Sequence, residues 1–526
     1  MRLRLLLSSV SLACFVITNS GRIDFGLVTP ASAQADPSAA ASNGPAPVRT
    51  ISISMTPEAT IDPLIYGVNY VWATTSQADF PSWISALEGT QTPPSAPVSL
   101  VRYPGGWDGE WYDWSTNTLE PGGPTYSEPG VSPAALLSSI LPLTSAQPLS
   151  ANWFSAINAN GKMRSGSFQL PIRQVIGDQT PSEVPARIAL IVHKYHQIVL
   201  LCENSVQYWE FGNEWWLQAG AAANPAPLST NAALSRNLAR YAALVAAAAP
   251  ALKASFPNIK LFATADWRTA GGPVVNDEFV QLRKAVGPTA WALIDGISIH
   301  PYCGTNVPRS VCTSIPEHVA KIKQETGKSN IYASEWAVVM DQSTDDYGIR
   351  NANATVSALQ DFALAGISEG AYWPSIGSVP AIALASPAGL TSTGVLFRTM
   401  SLVYEGQALA AHVSNNGGPV GQTVAVAAKN NLMGVPGVAV IIPTNGDGLE
   451  TIDLSLAGTG LTKVAESSVI YSPNPNIKTG AIVSKTVALN TSIITNNDGS
   501  STAQFVLNPG TPGRGSNWEI AVLELQ

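Results

Sequence analysis

Two glutamates stand where bond-breaking carboxylates belong. Glu214 closes the run Tyr208-Trp209-Glu210-Phe211-Gly212-Asn213 and is followed by Trp215 and Trp216. Glu335 closes the apolar run Ile331-Tyr332-Ala333-Ser334 and is followed by Trp336. Both runs have the short, aromatic and apolar character of strands, so each carboxylate is delivered at a strand's C-terminal end beside an indole. Cleaving a glycosidic bond needs such a pair: one carboxyl protonated near neutral pH to assist the leaving group, another ionised to attack or to activate water. Desolvation at an apolar, aromatic-ringed strand end favours a neutral glutamate, and a neighbouring carboxylate pushes the same way. Glu214 therefore suits the acid/base and Glu335 the nucleophile. Asn213 is placed to hydrogen-bond the sugar hydroxyl next to the reacting carbon.

Strand ends that converge on one site imply a closed parallel sheet. Eight short apolar runs end in polar or aromatic residues: Leu64–Tyr70, Ser99–Tyr103, Ile172–Ile176, Val206–Phe211, Ile259–Ala265, Ile294–Ile299, Asn330–Ser334 and Gly370–Trp373. The stretches between them can form helices, notably Glu183–His196 and Ala232–Ser255, the latter entered through Ser229-Thr230-Asn231, which can cap it. Strand and helix in alternation predict a (β/α)8 TIM barrel, whose chemistry sits at the C-terminal ends of its strands. No Gly-x-Gly-x-x-Gly or phosphate loop supports a nucleotide-binding alternative.

After about Val395 the texture changes. A last helix is expected over Val395–Ala411, followed by alternating runs at Thr423–Ala428, Val438–Pro443, Thr451–Leu456, Ser468–Ser472, Ala503–Leu507 and Trp518–Leu525. Asn-Gly, Asn-Asp-Gly and Pro-Gly turn signals separate them, which predicts an antiparallel β-sandwich. The strand-like Val48–Met55 precedes the barrel and is assigned to the sandwich. The expected layout is a sandwich strand at 48–56, a catalytic barrel at 57–395 and a sandwich at 396–526.

The chain has 526 residues, enough for such a barrel and a partner domain. Only 12% of them are charged and the net charge is -8, so no basic face is available for nucleic acid or an anionic membrane. A neutral carbohydrate is the expected partner. Arg2 and Arg4, the apolar run Leu5–Ile17 and Ala31-Ser32-Ala33 read as an export signal over residues 1–33, and 34–47 as a flexible leader. The apolar run is too short for a stable membrane span, so a secreted or periplasmic protein is expected. Cys303 and Cys312 flank a short loop and are a disulfide candidate, while Cys202 reads as a buried free thiol. No Cys, His and Asp grouping has metal spacing, so neither metal nor cofactor is expected.

Gly212-Asn213-Glu214 on a fourth strand, Ser334-Glu335-Trp336 on a seventh and Arg102-Tyr103-Pro104-Gly105-Gly106 on a second resemble the retaining glycoside hydrolases of clan A. The chain is most similar to the family 51 α-L-arabinofuranosidases, with echoes of families 39, 44 and 79. Ile61-Asp62-Pro63-Leu64-Ile65-Tyr66-Gly67-Val68-Asn69-Tyr70 fits their first strand, and His300-Pro301-Tyr302 the end of their sixth. The resemblance implies that Glu214 is the acid/base and Glu335 the nucleophile. It implies too that Arg102 holds Glu335 ionised, that Tyr302 hydrogen-bonds the same carboxylate, and that Trp373 floors the subsite. Tyr103 stands where family 51 commonly has tryptophan.

Trp72, Trp107, Trp111, Trp114, Trp215, Trp216, Trp267, Trp336 and Trp373 fall at or just beyond strand ends, where a sugar ring can stack, and about half are expected to face the cleft. Trp107, Trp215, Trp336 and Trp373 are taken as substrate contacts together with His300. Tyr66, Trp209 and Trp291 read as core. Two enzyme readings stay open, an exo-acting arabinofuranosidase with a pocket and an endo-acting β-glycanase with a groove. A carbohydrate-binding protein without catalysis would require one glutamate to be replaced, and neither is.

Overall fold

The computed structural model describes residues 48–70, 86–87, 98–110, 112–113, 118–119, 165–176, 180–204, 206–217, 228–267, 278–303, 315–338, 347–375, 383–386, 389–416, 423–432, 435–445, 449–471, 485–507 and 518–526. The signal and leader segments, Cys312, Trp72, Trp111, Trp114 and most of the segment between Gly105 and Leu170 lie outside the described residues. So does the side chain of Trp107, whose backbone is part of a short helical turn, Gly106–Gly109.

The chain enters with strand β1 (Val48–Ile61) and then builds a closed parallel barrel. Its eight strands are β2 (Gly67–Asn69), β3 (Leu100–Tyr103), β4 (Ser165–Leu170), β5 (Val206–Phe211), β6 (Lys260–Thr264), β7 (Gly296–Ile299), β8 (Asn330–Val338) and β9 (Glu369–Tyr372). Each pairs in parallel with the next, and β9 closes on β2 through Ala371 opposite Gly67. Between them run α1 (Val184–Cys202), α2 (Ala232–Ser255), α3 (Glu278–Val286), α4 (Ile315–Thr326) and α5 (Tyr347–Ala365). Asn231 caps α2 by accepting from Leu234 N, the interaction expected of that residue type. No described helix is long and apolar enough to cross a membrane.

The third strand corrects the sequence reading. Ile172–Ile176 is not a strand but a turn after it, closed by Val175 N and Ile176 N donating to Ile172 O. The strand is Ser165-Gly166-Ser167-Phe168-Gln169-Leu170, whose opening reads as a loop. Strands lining a tight barrel have room for small inward residues, so hydrophobicity alone misplaces them. The last helix is also shorter than expected: α6 covers Ser392–Val403, and the chain then becomes strand β10 (Gly406–Asn416). Gly406, at φ +82, turns it there; a Cβ at that position would meet Lys429 O at 2.6 Å.

The second sheet continues with β11 (Val426–Leu432), β12 (Val435–Asn445), β13 (Glu450–Ser455), β14 (Val464–Tyr471), β15 (Lys485–Ala488), β16 (Thr491–Thr495), β17 (Ser501–Leu507) and β18 (Trp518–Leu525). Its order is β15-β14-β18-β12-β11-β10-β1-β13-β17-β16, antiparallel except where β1 meets β13. The N-terminal strand thus lies inside this sheet and runs on to Ile61, past the expected end at 56. Alternation along β12 explains how the two domains join: Val438, Val440 and Ile442 fill the sandwich core, whereas Ala439 and Ile441 share the barrel's core cluster. On that barrel side, α5 packs against β1 and β18.

Candidate active site

Period-two alternation also layers the barrel interior. Leu100, Phe262, Tyr332 and Ala371, with Tyr208 against them, form an apolar lower layer. Two residues further along the same strands stand Arg102, Thr264, Ser334 and Glu210, and this upper layer is polar. Arg102 is fully buried at its centre. Its Nε donates to Glu210 Oε2 at 2.7 Å, one terminal nitrogen to Glu335 Oε1 at 2.8 Å and to Asn69 Oδ1 at 2.9 Å, and the other to Gln169 Oε1 at 3.1 Å. Burial disfavours its charge, but Glu210 and Glu335 outweigh that and raise its pKa further, so Arg102 is a fixed cation.

Glu335 owes its direction to an irregularity in β8. Ser334 Oγ reaches Glu210 Oε1 at 2.5 Å while Glu335 reaches Arg102, so two consecutive side chains face inward. The pairing of β8 with β9 shifts register between Ala333 and Trp336, as a bulge that re-aims a side chain requires. The second Glu335 oxygen accepts from Tyr302 Oη at 2.8 Å. Trp336 then turns outward and packs against Phe362, Tyr372 and Phe397, completely buried. The structure therefore places Trp336 in the core between barrel and helices, not on a sugar-binding face.

Glu214 is presented by a different device. Gly212 has φ +73 and Glu214 φ +39, the left-handed region that a non-glycine residue occupies at a cost of about 1–3 kcal/mol. Beyond it, Trp215 is also core: its Nε1 donates to Thr264 O at 2.8 Å, and its ring stacks on Tyr241 of α2. Its expected role as a substrate contact is corrected in the same way. An indole this large, with a satisfied N–H, anchors the turn that carries the carboxylate. Asn237 of α2 reinforces it by donating to Trp215 O at 3.1 Å. Asn213 lies between the two sides, its Oδ1 3.4 Å from Arg102 and its Nδ2 3.5 Å from Glu214.

His300 joins the carboxylates. Nδ1 is 3.1 Å from Glu214 Oε1 and 3.5 Å from Glu335 Oε2, and Nε2 faces Glu210 Oε1 at 3.7 Å, an ion-pair distance too long for a hydrogen bond. Burial would lower its pKa, but Glu335, Glu210 and Glu214 overcome this and push it up to about 10. Glu210, which burial would raise, is brought down to about 2 by Arg102 and His300. An oxygen of Glu214, an oxygen of Glu335 and a nitrogen of His300 lie within 4.8 Å of one another. That triangle also has the size of a metal site. Both Glu335 oxygens already accept hydrogen bonds, however, and a histidine ringed by three carboxylates is arranged to hold a proton rather than a cation.

Trp373 stands at the mouth, 9% exposed, against Gly105 and Gly106. A Cβ on Gly106 would meet its indole at 2.5 Å, so glycine is what makes room for that ring. Trp216 meets His300 edge to face at 6.0 Å. Tyr66, Trp209 and Trp291 are buried and bonded to backbone carbonyls, in the core as expected. Cys202 is a buried free thiol. Sequence reasoning missed Glu210, Asn69 and Gln169 as parts of the site. Glu210 carried a signal, a charge in the middle of an apolar strand, which is costly unless a partner waits. Gln169 lay in the strand that was misplaced.

No family model matches the chain, and no curated protein does. Solved structures do. A family 51 α-L-arabinofuranosidase from Bifidobacterium longum is 14% identical, with a TM-score of 0.56 over 90% of this chain and 99% of that one. An α-L-arabinofuranosidase from Thermotoga maritima is 14% identical, with 0.54 over 91% and 99%. A family 44 xyloglucanase from Paenibacillus polymyxa is 12% identical, with 0.52 over 91% and 100%. The chain thus has the barrel-and-sandwich fold found among clan A glycoside hydrolases.

Proposed function

We propose that this chain is a secreted, retaining glycoside hydrolase acting on a neutral polysaccharide or oligosaccharide, and that its nearest functional type is an α-L-arabinofuranosidase. One observation carries the reading: Glu214, just beyond β5, and Glu335, within β8, bring oxygens within 4.8 Å of each other. Retaining pairs are about 5–5.5 Å apart, whereas inverting pairs leave room for water at about 6.5–9.5 Å.

In this mechanism a Glu335 oxygen attacks the anomeric carbon as the bond to the leaving oxygen breaks and that oxygen takes the Glu214 proton. Water then gives a proton to Glu214 and its oxygen to the anomeric carbon, and the bond to Glu335 breaks. Arg102 and Tyr302 each donate to one Glu335 oxygen and so fix the direction of the attacking carboxylate. The contacts support this division: Glu335 accepts from Arg102 and Tyr302, whereas Glu214 stands outside that pair of donors, beside His300. A second reading, an endo-acting β-glycanase, is favoured by the likeness to the Paenibacillus xyloglucanase. Single sugars released from arabinan or xylan support the first, mixed oligomers from glucan the second.

The two roles are separated by mutation. Glu335→Gln should lower turnover by roughly four or more orders of magnitude on every substrate, since no glycosyl-enzyme forms. Glu214→Ala should retain a burst on dinitrophenyl glycosides, with azide restoring turnover and giving a glycosyl azide of unchanged anomeric configuration. Inverted product from the unmutated protein, read by NMR, would refute the retaining assignment.

A further inference from the structure

One carboxylate beside the site has no part in the chemistry above. Glu110 follows the helical turn Gly106–Gly109 and is 1% exposed. Its Oε1 accepts from Asn213 N at 2.7 Å and from Gln169 Nε2 at 2.8 Å, and its Oε2 accepts from Ile172 N at 2.6 Å. These partners are N–H donors from the ends of β4 and β5. A carboxylate, which only accepts, satisfies all of them, and a protonated acid or an amide would turn a donor against one. Burial nevertheless pushes its pKa up to about 7, the sign of a charge kept in place at a cost.

What this carboxylate holds is the strained turn. Asn213, whose N–H it binds, stands between the left-handed Gly212 and the left-handed Glu214. Ile172, whose N–H its other oxygen binds, lies against Gly212, where a Cβ would meet Ile172 Cδ1 at 2.4 Å. One side chain thus fastens the turn at its backbone and at the residue packed beneath it. Glu335, by contrast, is held by Arg102 and Tyr302, neither of which Glu110 touches. Gln169 and Asn213 link the two sides, both accepting from one terminal nitrogen of Arg102, and Arg102 keeps Glu210, Glu335 and Asn69 as further acceptors.

We propose that Glu110 is a positioning residue for the acid/base, its carboxylate fixing the Gly212–Glu214 turn and so the point at which Glu214 delivers its proton. The inference rests on Glu214 being the acid, and it makes a distinction that mere structural damage would not. A displaced acid slows only substrates whose leaving group needs the proton.

The test is a leaving-group series on aryl α-L-arabinofuranosides and aryl β-glucosides with the full chain. For Glu110→Gln, kcat/KM should fall about 100-fold on the phenyl glycoside and less than about 3-fold on the dinitrophenyl one, within the range a general acid contributes. Glu110→Asp keeps the charge with a shorter reach and should show the same tilt at smaller amplitude; it carries the test alone if the amide fails to fold. A uniform loss across leaving groups in the variant that folds, or no loss at all, overturns the proposal. An unmutated protein that cleaves neither series overturns the glycosidase reading itself and this inference with it, an outcome distinct from a flat series in an active enzyme.

Discussion

Among the described residues, Arg49 in the sandwich and Arg102 in the barrel are each buried against glutamate, and the two arrangements differ in a telling way. In the sandwich, Arg49 of β1 meets Glu450 of β13 at 2.8 Å, and the other Glu450 oxygen accepts from Thr444 at 2.6 Å and Thr423 at 3.1 Å. Among the described contacts, one cation meets one anion and two threonine hydroxyls complete that carboxylate. In the barrel, Arg102 is divided between Glu210 and Glu335, and a second cation, His300, faces Glu210, Glu214 and Glu335. Burial of an ion pair is therefore no mark of function by itself. Carboxylates that outnumber the cations holding them are, because one must stay neutral or act, and this is how sites set acid and base apart.

Removing the barrel arginine breaks the comparison most strongly. Arg102→Ala leaves Glu210 and Glu335 buried without their shared cation, and Glu210, which Arg102 holds well below the usual carboxylate range, should protonate more readily. The acid limb of the pH–kcat/KM profile is expected to move upward by about 1–3 units, the shift an adjacent guanidinium normally supplies to a carboxylate. An acid limb that stays in place, with normal activity, would reduce Arg102 to a structural residue like its counterpart.

Arg49→Ala sharpens the contrast from the other side. Glu450 loses its cation but keeps its threonines, and stability should fall by roughly 3–5 kcal/mol, as for other broken buried pairs. Below its unfolding temperature the variant should keep the unmutated kcat/KM and pH profile. Denaturant unfolding beside a pH–rate profile measures both, and a displaced acid limb here would show that the two pairs are coupled across the domain boundary.

The same contrast governs what was legible in the sequence. The barrel showed itself through seven of its eight strands, since outward residues such as Ile297, Ile299 and Ile331 are strongly apolar. The eighth, Ser165–Leu170, hid because its inner residues are small or polar. Glu214 and Glu335 are readable because tryptophans flank them, yet a tryptophan beside a strand end does not have to face the sugar: Trp215 and Trp336 pack in the core. Side-chain direction depends on a bulge at Ser334–Glu335 and a left-handed turn at Gly212–Glu214, and neither follows from apolar periodicity. In the sandwich, β16 escaped notice because it is an exposed edge strand, Thr491–Thr495, without a buried face to set a pattern.

His300 gives the finest test, because the sandwich pair contains no histidine. Its pKa in the folded protein is about 10, against an ordinary value of 6.5. A histidine whose folded pKa is raised contributes stability that is fully present below pH 6.5 and is lost as pH rises through about 10. Replacing it with a neutral side chain removes that dependence. The stability gap between the unmutated protein and His300→Gln should therefore be widest near pH 6 and narrow by pH 10, by about 4 kcal/mol. Glu110, whose own pKa lies near 7, titrates in both proteins and cancels from the difference. Urea unfolding of the pair at several pH values reads the gap directly. A gap that stays constant across this range would mean that His300 is neutral among its carboxylates.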